Sequence, residues 1–241
     1  MPADPVSYKR NGEIAVVTID DGKANALSPS VLAALHAAMD RAETERVRAL
    51  LLTGRPGTFS GGFDLSVMRG GDLAAIGGLV TDGGELLLRI YRSPMPIVCA
   101  ASGHAVAAGA LALLASHFRV GAEGPFRIAL TETAIGMVLP DWAIVLAGER
   151  LTPRHAQQAA VEARVYDPHG AVEAGFLDRV VAADRLMDAA MEESTRLAAF
   201  APDAYAGNAA KMRGPGVAAL EAAVGRDRDA VRGLAEGLEP L

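Results

Sequence analysis

Two short segments rich in glycine and alanine, each directly after an apolar run, constrain this chain more than any other feature. Residues 59–65 (FSGGFDL) follow the apolar run 49–53, and residues 102–110 (SGHAVAAGA) follow the apolar run 96–101. Short apolar runs of this kind are typical of buried strands, and the small residues after them leave backbone N–H groups unshielded. Two such strand exits side by side can direct two N–H groups at one oxygen atom, which is how proteins stabilise an oxyanion formed from a carbonyl.

The N-terminal part of the chain has a β-α-β order. A strand over 13–19 is followed by a helix with Ser28 as its N-cap and Pro29 at its first position, and then by a strand over 47–53. Serine at the N-cap and proline at the first helical position both favour a helix start. Strands joined through a helix pair in parallel, so we expect a parallel sheet.

Glycine pairs interrupt the next stretch, residues 66–92. Because glycine destabilises the interior of a helix, we expect an irregular connection that becomes helical only over 85–91. A nearly all-apolar helix is predicted from about 107 to 116, and such a helix is buried.

From residue 139 onward the pattern is mainly helical. Three of these helices are predicted near 184–200, 203–212 and 216–234. Gly214-Pro215-Gly216 is expected to separate the last two, because glycine and proline interrupt helices. The composition divides the chain into a strand-rich core, 1–185, and a C-terminal helical region, 186–241, rather than into two independent domains.

Composition excludes several classes of function. The 241 residues carry a formal net charge of −6, whereas binding to nucleic acid needs a basic face. The single cysteine, Cys99, lies within an apolar run, which favours a buried small side chain over a catalytic thiol. The N-terminus lacks the features of a signal peptide, and no apolar run is long enough to span a membrane. We therefore expect a cytoplasmic protein with no nucleic-acid or membrane partner and no metal site.

Four segments resemble motifs of the crotonase superfamily, the enoyl-CoA hydratase/isomerase family. Residues 25–27 are similar to its Asn-Ala-Leu opening, and residues 59–65 to its Phe-x-x-Gly-x-Asp-Leu motif. Residues 102–109 resemble its Asn-Gly-x-Ala-x-Gly-Gly-Gly motif, and residues 131–140 resemble its Pro-Glu-x-x-x-Gly-x-x-Pro/Gly stretch. The order and spacing of these segments carry the resemblance, since each motif alone is weak.

The resemblance implies a fold, an activity and an assembly. The fold would be α/β, a crotonase-like ββα superhelix (spiral) with a C-terminal helical region for trimerisation. The chain would be an acyl-CoA enzyme of the enoyl-CoA hydratase/isomerase type, with coenzyme A as part of the thioester substrate and no permanently bound cofactor. The assembly would be a homotrimer or a hexamer made of two trimers.

The resemblance also implies roles for individual residues. The backbone N–H groups of Phe63 and Ala108 would form the oxyanion hole, and Glu132 would be the acid/base, with a solvated surface glutamate as the alternative. Apolar neighbours such as Ala134 and Ile135 are expected to raise the pKa of the Glu132 carboxyl. Further contacts to substrate or coenzyme A are implied for Lys23, Ala24, Ala26, Ser60, Gly62, Asp64, Leu65, Ala107, Leu111, Thr131, Pro140 and Asp141.

The chain departs from the family pattern at one informative position. Typical hydratases carry a second glutamate where this chain has Leu111, and residues 110–113 contain no carboxylate. In the family, water addition uses two carboxylates to hold one water molecule, whereas one carboxylate suffices to move a proton between C2 and C4. The residues therefore favour an isomerase-like proton shuttle over hydration.

Several alternatives stay open. Leu111 is also compatible with a non-catalytic acyl-CoA-binding protein, and Asp141 with another crotonase reaction such as thioester hydrolysis. The residues favour Asp141 as a helix N-cap. His104 fits either the pocket or a structural role. Ala107 and Ala108 stand where the family has two glycines, which restricts the backbone and narrows the pocket floor.

Overall fold

The computed structural model describes residues 4–235, in which helices surround two β-sheets. In chain order the strands are β1 (Val6–Asn11), β2 (Ile14–Ile19), β3 (Ala49–Gly54), β4 (Gly57–Ser60), β5 (Ile97–Ala101), β6 (Gly103–Val106), β7 (Phe118–Ala122), β8 (Ile128–Ala129) and β9 (Arg179–Val181). The α-helices are α1 (Pro29–Thr44), α2 (Leu65–Met68), α3 (Leu73–Tyr91), α4 (Ala108–Ala115), α5 (Asp141–Arg150), α6 (Pro153–Ala160), α7 (Pro168–Ala174), α8 (Leu186–Ala198) and α9 (Pro202–Ala235). Residues 1–3 of the predicted core and residues 236–241 of the predicted C-terminal helical region lie outside the described residues.

The strands are distributed between a large and a small sheet. The large sheet has the order β1-β2-β3-β5-β7-β9, in which β1 and β2 are antiparallel and the other neighbours are parallel. The small sheet has the order β4-β6-β8 and is parallel. From β3 onward, each ββα unit therefore gives its first strand to the large sheet and its second strand to the small one. The predicted parallel pairing of β2 with β3 is confirmed.

Helix α1 begins as the sequence predicts. The Ser28 hydroxyl accepts the N–H of Val31, and Pro29 occupies the first helical position. This start places the apolar stripe of α1 against the large sheet, where Leu32 and Leu35 are buried in the main core.

Helix α3 begins at Leu73, so the predicted irregular connection is largely helical and that prediction was wrong. The glycines inside it are packing sites. A Cβ atom built on Gly77 would overlap Val231 of α9, and one built on Gly84 would overlap the indole of Trp142. Close contact with neighbouring elements thus outweighs the low helix propensity of glycine.

Helix α9 runs without interruption through the segment 214–216, contrary to the prediction of two helices. Proline inside a helix costs about 3 kcal/mol, so tertiary contacts must compensate. Arg213, just before this segment, donates a hydrogen bond to the backbone oxygen of Tyr91 (2.9 Å). Leu220 and Val224, just after it, are buried in the main core.

Helix α8 covers the other face of the large sheet. Leu186 and Ala190 of α8 pack with Leu51 and Val98 in a second apolar cluster. The start of α8 coincides with the boundary predicted at residue 185, and the division into two parts stays a prediction. In the described part of the chain, no helix is both long and apolar enough to cross a membrane.

Candidate active site

The three strands of the small sheet end at one edge. Because β4, β6 and β8 are parallel neighbours, their carboxyl ends meet where α/β proteins commonly bind ligands. The chain leaves this edge toward Phe63 after β4, toward Ala108 after β6 and toward Glu132 after β8. The segments 59–65 and 102–110 lie side by side as expected, but they exit from β4 and β6, two short strands that were not predicted, rather than from the apolar runs β3 and β5. Glu132 follows the adjoining strand β8.

Gly62 lies directly against the exit of β6. A Cβ atom built on it would be 2.8 Å from the Cβ of Ala107 and 3.2 Å from the backbone nitrogen of Ala108. Its φ of +92° is also a conformation that favours glycine. Glycine at this position therefore lets the two loops touch, and the contact brings Phe63, the next residue, close to Ala108.

The amides of Phe63 and Ala108 are oriented by the chain around them. Leu27 donates to the oxygen of Gly62 (2.8 Å) and accepts the N–H of Asp64 (3.3 Å). Because successive peptide groups of an extended chain face opposite sides, the N–H of Phe63 faces away from Leu27. Ala108 is the first residue of α4, where the N–H has no intrahelical acceptor and the helix dipole favours negative charge.

Ala107 holds a backbone conformation that alanine rarely adopts, with φ 53° and ψ −128°. Such strain costs about 1–3 kcal/mol and persists only where surrounding contacts enforce it. The N–H of Ala107 donates to the oxygen of Ala129 (2.8 Å), and its own oxygen accepts the N–H groups of Ala110 and Leu111. These bonds join the exits of β6 and β8 and fix the start of α4.

Asn25 and Ser60 join the loop after β2 to the exit of β4. The side-chain amide of the fully buried Asn25 donates to the oxygens of Ile19 (2.8 Å) and Thr58 (3.0 Å). The Ser60 hydroxyl donates to the oxygen of Asn25 (2.8 Å) and accepts the N–H of Gly62 (3.2 Å). Since Ser60 is 1% exposed, it positions the Gly62 loop, and it is not the open ligand contact that we expected.

A groove of about 1100 Å³ lies beside the exit of β4, between residues 20–26 and residues 61–66, and neither Ala108 nor Glu132 is among the residues that line it. The groove contains seven of the residues implied by the resemblance, which are Lys23, Ala24, Ala26, Gly62, Phe63, Asp64 and Leu65. Among the described residues that line it, Lys23 carries the only positive charge, and it is exposed.

The carboxylates beside the groove are engaged with the backbone. Burial opposes the ionisation of Asp21, but hydrogen bonds from the N–H groups of Ala26, Asn25 and Lys23 outweigh it and lower the pKa of this carboxyl. Asp64 is the N-cap of α2 and accepts the N–H of Ser66 (2.8 Å). These carboxylates therefore shape the two loops.

The side chain of Phe63 lies in a contact between α3 and α5. Its ring meets the ring of Trp142 edge to face, with centroids 6.5 Å apart. Gly83 of α3 leaves room for the Phe63 ring, and Gly84 leaves room for the indole. The position of Phe63 therefore depends on α3 and α5 as well as on its own loop.

Glu132 is half-buried, and its Oε2 atom has no hydrogen-bond partner among the described residues. Burial raises the pKa of its carboxyl, and the N–H groups of Glu132 and Thr131 oppose the shift. The raised pKa agrees with the sequence-based expectation. Ile135, which was expected to contribute, is 61% exposed and shields the carboxyl little from solvent. A carboxyl of this kind is suited to exchange protons near neutral pH.

Leu111 lies in the core, at 1% exposure, on a helix whose residues are all apolar and buried. A direct contact with ligand was implied for it, and the structure places it in the first turn of α4 with its side chain in the core. Thr131 and Pro140 flank the Glu132 segment, and both are half-buried.

Asp141 does not cap α5, so that prediction was wrong. It is the first residue of the helix, it is exposed, and it accepts from Arg226 with Nε···Oδ2 2.9 Å. The N-cap position is occupied by Pro140, which makes no side-chain cap. Instead, Asp227 of α9 accepts the N–H of Trp142 at 3.4 Å.

Two other side chains that could take part in catalysis, those of His104 and Cys99, have structural roles. The Nδ1 atom of His104 accepts the N–H of Arg127 (3.0 Å), which joins β6 to the segment before β8. Cys99 is fully buried against Ser116, and burial raises the pKa of its thiol to about 12. At that pKa the thiol is not a nucleophile near neutral pH.

Sequence reasoning assigned no structural role to four residues that shape the site, which are Asn25, Gly83, Gly84 and Asp227. Asn25 has a φ of 52°, and asparagine is among the few residues that tolerate this region, so the Asn-Ala-Leu segment contained the signal. The glycine pair at 83–84 was the only sequence signal of this packing, because a side chain at either position would overlap the ring of Phe63 or Trp142. Asp227 gave no local signal, because its contact with Trp142 spans 85 positions.

The chain is similar to known proteins over most of its length. A family model described as "Enoyl-CoA hydratase/isomerase" matches residues 9–232. A crystal structure of an enoyl-CoA hydratase/isomerase family protein from Pseudomonas syringae superposes with a TM-score of 0.92 at 39% identity, covering 96% of this chain and 100% of that one.

Two curated relatives carry different activities in their names. The mitochondrial enoyl-CoA delta isomerase 1 of Homo sapiens is 31% identical over 181 residues, which is 74% of this chain and 60% of the relative. The carnitinyl-CoA dehydratase of Salmonella enteritidis is 30% identical over 206 residues, which is 85% of this chain and 78% of the relative. The matched region thus spans less than two thirds of the human protein.

The resemblance read from the motifs is therefore confirmed, and so is the α/β crotonase-like fold, since the matched solved structure covers nearly the whole chain. By family model, curated relatives and fold, the chain belongs to the enoyl-CoA hydratase/isomerase family of the crotonase superfamily.

Proposed function

We propose that this protein moves a carbon–carbon double bond in an acyl-CoA thioester, from the 3,4 to the 2,3 position, with Glu132 as its single acid/base. The observation that carries the proposal is the exit of Phe63, Ala108 and Glu132 from three neighbouring parallel strands. Two amides and one carboxyl at one sheet edge are the groups that enolate chemistry needs.

The amides serve the oxygen of the thioester. Removing a proton from C2 places negative charge on the carbonyl oxygen, and the N–H groups of Phe63 and Ala108 stabilise that charge. Loss of one such donor typically costs about 3 kcal/mol of transition-state stabilisation. The start of α4 at Ala108 adds the favourable field of a helix N-terminus.

Glu132 moves the proton. In its ionised form the carboxylate removes a proton from C2. The electrons of that C–H bond form a double bond between C1 and C2, and this enolate is conjugated with the double bond between C3 and C4 as a dienolate. The carboxylic acid then returns the same proton to C4, and the double bond lies between C2 and C3. The Oε2 atom is buried and has no hydrogen-bond partner among the described residues, so no group of the protein competes with the substrate for it.

A single carboxylate favours this shuttle over water addition. Water addition requires a second group to hold the water, and α4 offers only buried apolar side chains at and around Leu111. The candidate reaction with Asp141 as second functional group is disfavoured, because that carboxylate is exposed and paired with Arg226.

The groove beside the amides suits the coenzyme A part of the substrate. Lys23 is the cation available there to the phosphates, as a point charge. Lys23→Gln is expected to raise the KM of a CoA ester several-fold while leaving the KM of a truncated thioester without the nucleotide unchanged. Equal effects on both thioesters would contradict this placement.

The principal test is Glu132→Gln, with Glu162→Gln, an exposed carboxylate, as the matched control. The assay follows conversion of 3-enoyl-CoA to 2-enoyl-CoA and, separately, exchange of the C2 proton with deuterated water. We expect Glu132→Gln to lose both activities and to bind the ester nearly as the parent does. Unchanged turnover would remove Glu132 from the mechanism.

The same experiments separate the rival functions. Tight acyl-CoA binding by the parent protein without exchange or conversion would identify a non-catalytic binding protein. Release of free coenzyme A, lost in Asp141→Ala, would identify thioester hydrolysis.

We also propose that the protein acts in the cytoplasm as a homotrimer or as a dimer of trimers, with no permanently bound cofactor. Exposed apolar side chains such as Ile135, Val138 and Ile144 support a surface that another copy covers. Light scattering during size-exclusion chromatography tests the assembly, and a monomer at micromolar concentration would contradict it.

A further inference from the structure

The end of α9 lies between α3 and α5 and is joined to both. On the α5 side, Arg226 pairs with Asp141 at 2.9 Å. On the α3 side, Arg228 pairs with Glu85, and Val231 packs against Gly77. Consecutive positions of one helix thus reach two different helices.

Asp227 lies between these two ion pairs and faces the start of α5. It is half-buried, and its carboxylate accepts the N–H of Trp142 at 3.4 Å. The N-cap position of α5 is Pro140, which has no side-chain oxygen to offer. A carboxylate from another element therefore takes the place of the cap and meets the positive end of the helix dipole.

The start of α5 is connected to both halves of the proposed chemistry. The Trp142 ring contacts the ring of Phe63, whose amide is a proposed oxyanion donor. The segment 131–140, which carries Glu132, runs directly into α5. A shift of this helix start would move the donor and the acid/base relative to each other.

We propose that Asp227 is a positioning residue for the reaction, which holds the start of α5 and through it sets the distance between the Phe63 amide and the Glu132 carboxyl. The inference rests on the proposed function. Asp227 itself touches neither the substrate groove nor the reacting atoms, because none of the groove-lining residues lies on α9.

The expected signature is a loss of kcat with little change in KM. Misplacement of a catalytic group by about 1 Å can cost 100-fold in rate, and we expect the loss of one cap to shift the start of α5 by a fraction of that distance. We therefore expect Asp227→Ala to lower kcat about tenfold, while the KM of the CoA ester stays within about twofold. Asp227→Asn keeps a hydrogen-bond acceptor and is expected to recover most of the rate.

Fluorescence gives an independent readout, because Trp142 is the single tryptophan of the chain. Its indole is fully buried, so loosening of the start of α5 in Asp227→Ala should shift the emission to longer wavelength. Asp227→Asn should emit as the parent does. Asp229→Ala, which removes an exposed carboxylate two positions farther along α9, is the control and should change neither kcat nor emission.

Each outcome decides the inference. An unchanged kcat per folded molecule in Asp227→Ala, or a kcat in Asp227→Asn as low as in Asp227→Ala, would overturn it. Should Asp227→Ala not fold, Asp227→Glu displaces the acceptor by one methylene group, and a kcat equal to that of Asp227→Asn would overturn the inference in the same way. Turnover retained in Glu132→Gln would refute the proposed function whatever the Asp227 variants do.

Discussion

Gly62→Ala tests the geometry on which the oxyanion site depends. The added Cβ atom would meet the Cβ of Ala107 at 2.8 Å, the oxygen of Val106 at 3.1 Å and the nitrogen of Ala108 at 3.2 Å. Real Cβ atoms do not approach other carbon atoms this closely, so the loops must separate. The separation would move the amide of the next residue, Phe63, away from that of Ala108.

Two costs add at this position. The φ of +92° imposes a strain of about 1–2 kcal/mol on a residue with a Cβ atom. Overpacking of a tight contact adds about 1–3 kcal/mol. The free energy of unfolding should therefore fall by about 2–5 kcal/mol, and the loss of two aligned donors should lower kcat about 100-fold or more.

Gly71→Ala is the matched control. Gly71 has a comparable φ of +75°, but a Cβ atom built on it meets nothing within 4 Å. This variant therefore carries the backbone strain without the collision, and it should lose only about 1 kcal/mol and keep its turnover. Urea unfolding followed by the fluorescence of Trp142 measures the stability of both variants, and 3-enoyl-CoA conversion measures their activity.

The comparison can refute the reasoning. Equal losses of stability in the two variants would show that Gly62 does not contact the exit of β6. Parent-like turnover in Gly62→Ala would show that the two amides do not act on one oxygen. The double variant Gly62→Ala/Ala107→Gly removes the partner methyl group, and we expect it to recover part of the stability.

Three further predictions follow from the same contacts. Ala107→Gly relieves the strain of φ 53° and should stabilise the protein by about 1 kcal/mol in urea unfolding, and a loss of stability would contradict the strain. In α3, a Cβ atom on Gly78 meets nothing within 4 Å, so Gly78→Ala should stabilise the protein by about 0.5–1 kcal/mol. A Cβ atom on Gly84 would overlap the Trp142 indole, so Gly84→Ala should destabilise the protein. Equal effects of the two substitutions would refute the packing role of Gly84. Burial raises the pKa of the Glu132 carboxyl in the folded protein above its value in the unfolded chain. The folded protein therefore loses stability as the pH rises from the unfolded-state pKa to the folded-state pKa. Glu132→Gln should therefore be more stable than the parent above the folded-state pKa of Glu132, and the difference should vanish below the pKa of an unfolded glutamate. A pH-independent difference in the free energy of unfolding would contradict this.

The sequence predicted the elements whose signals are local. The start of α1 at Ser28 and Pro29 depends on two residues that act on the nearest backbone, and propensity rules describe such effects well. Apolar runs in the sequence predict the strands β2, β3 and β5. The helix between β2 and β3 predicts that these two strands pair in parallel, as they do. The adjacency of the two small-residue strand exits follows from the same reasoning.

The errors occur where distant contacts outweigh local preference. Glycine in α3 and Pro215 in α9 both disfavour a helix, yet both helices are continuous because other elements pack against them. No single sequence position shows that Val231 will lie against Gly77. The cap of α5 is a further case, since the acidic residue at the helix start, Asp141, is not the one that caps it.

The candidate site was predictable to the extent that it consists of backbone. The small residues after two apolar runs predicted two adjacent loops, and the resemblance then implied the amides of Phe63 and Ala108 within them. Side chains are different, because their role depends on what surrounds them. Ser60 was expected to touch ligand and is buried, whereas the raised pKa of the Glu132 carboxyl was expected and arises from burial that Ile135 alone does not supply.

The single-carboxylate interpretation depends on the surroundings of position 111 more than on the residue itself. A second acid in an active site needs solvent, a hydrogen-bond donor or a nearby cation to carry charge. Leu111 has none of these, because α4 consists of apolar residues that are all buried, and its neighbours in the core are apolar as well. The buried, apolar packing of α4 therefore supports the proposed single-carboxylate site, because this helix offers no side chain that could hold a water molecule for addition.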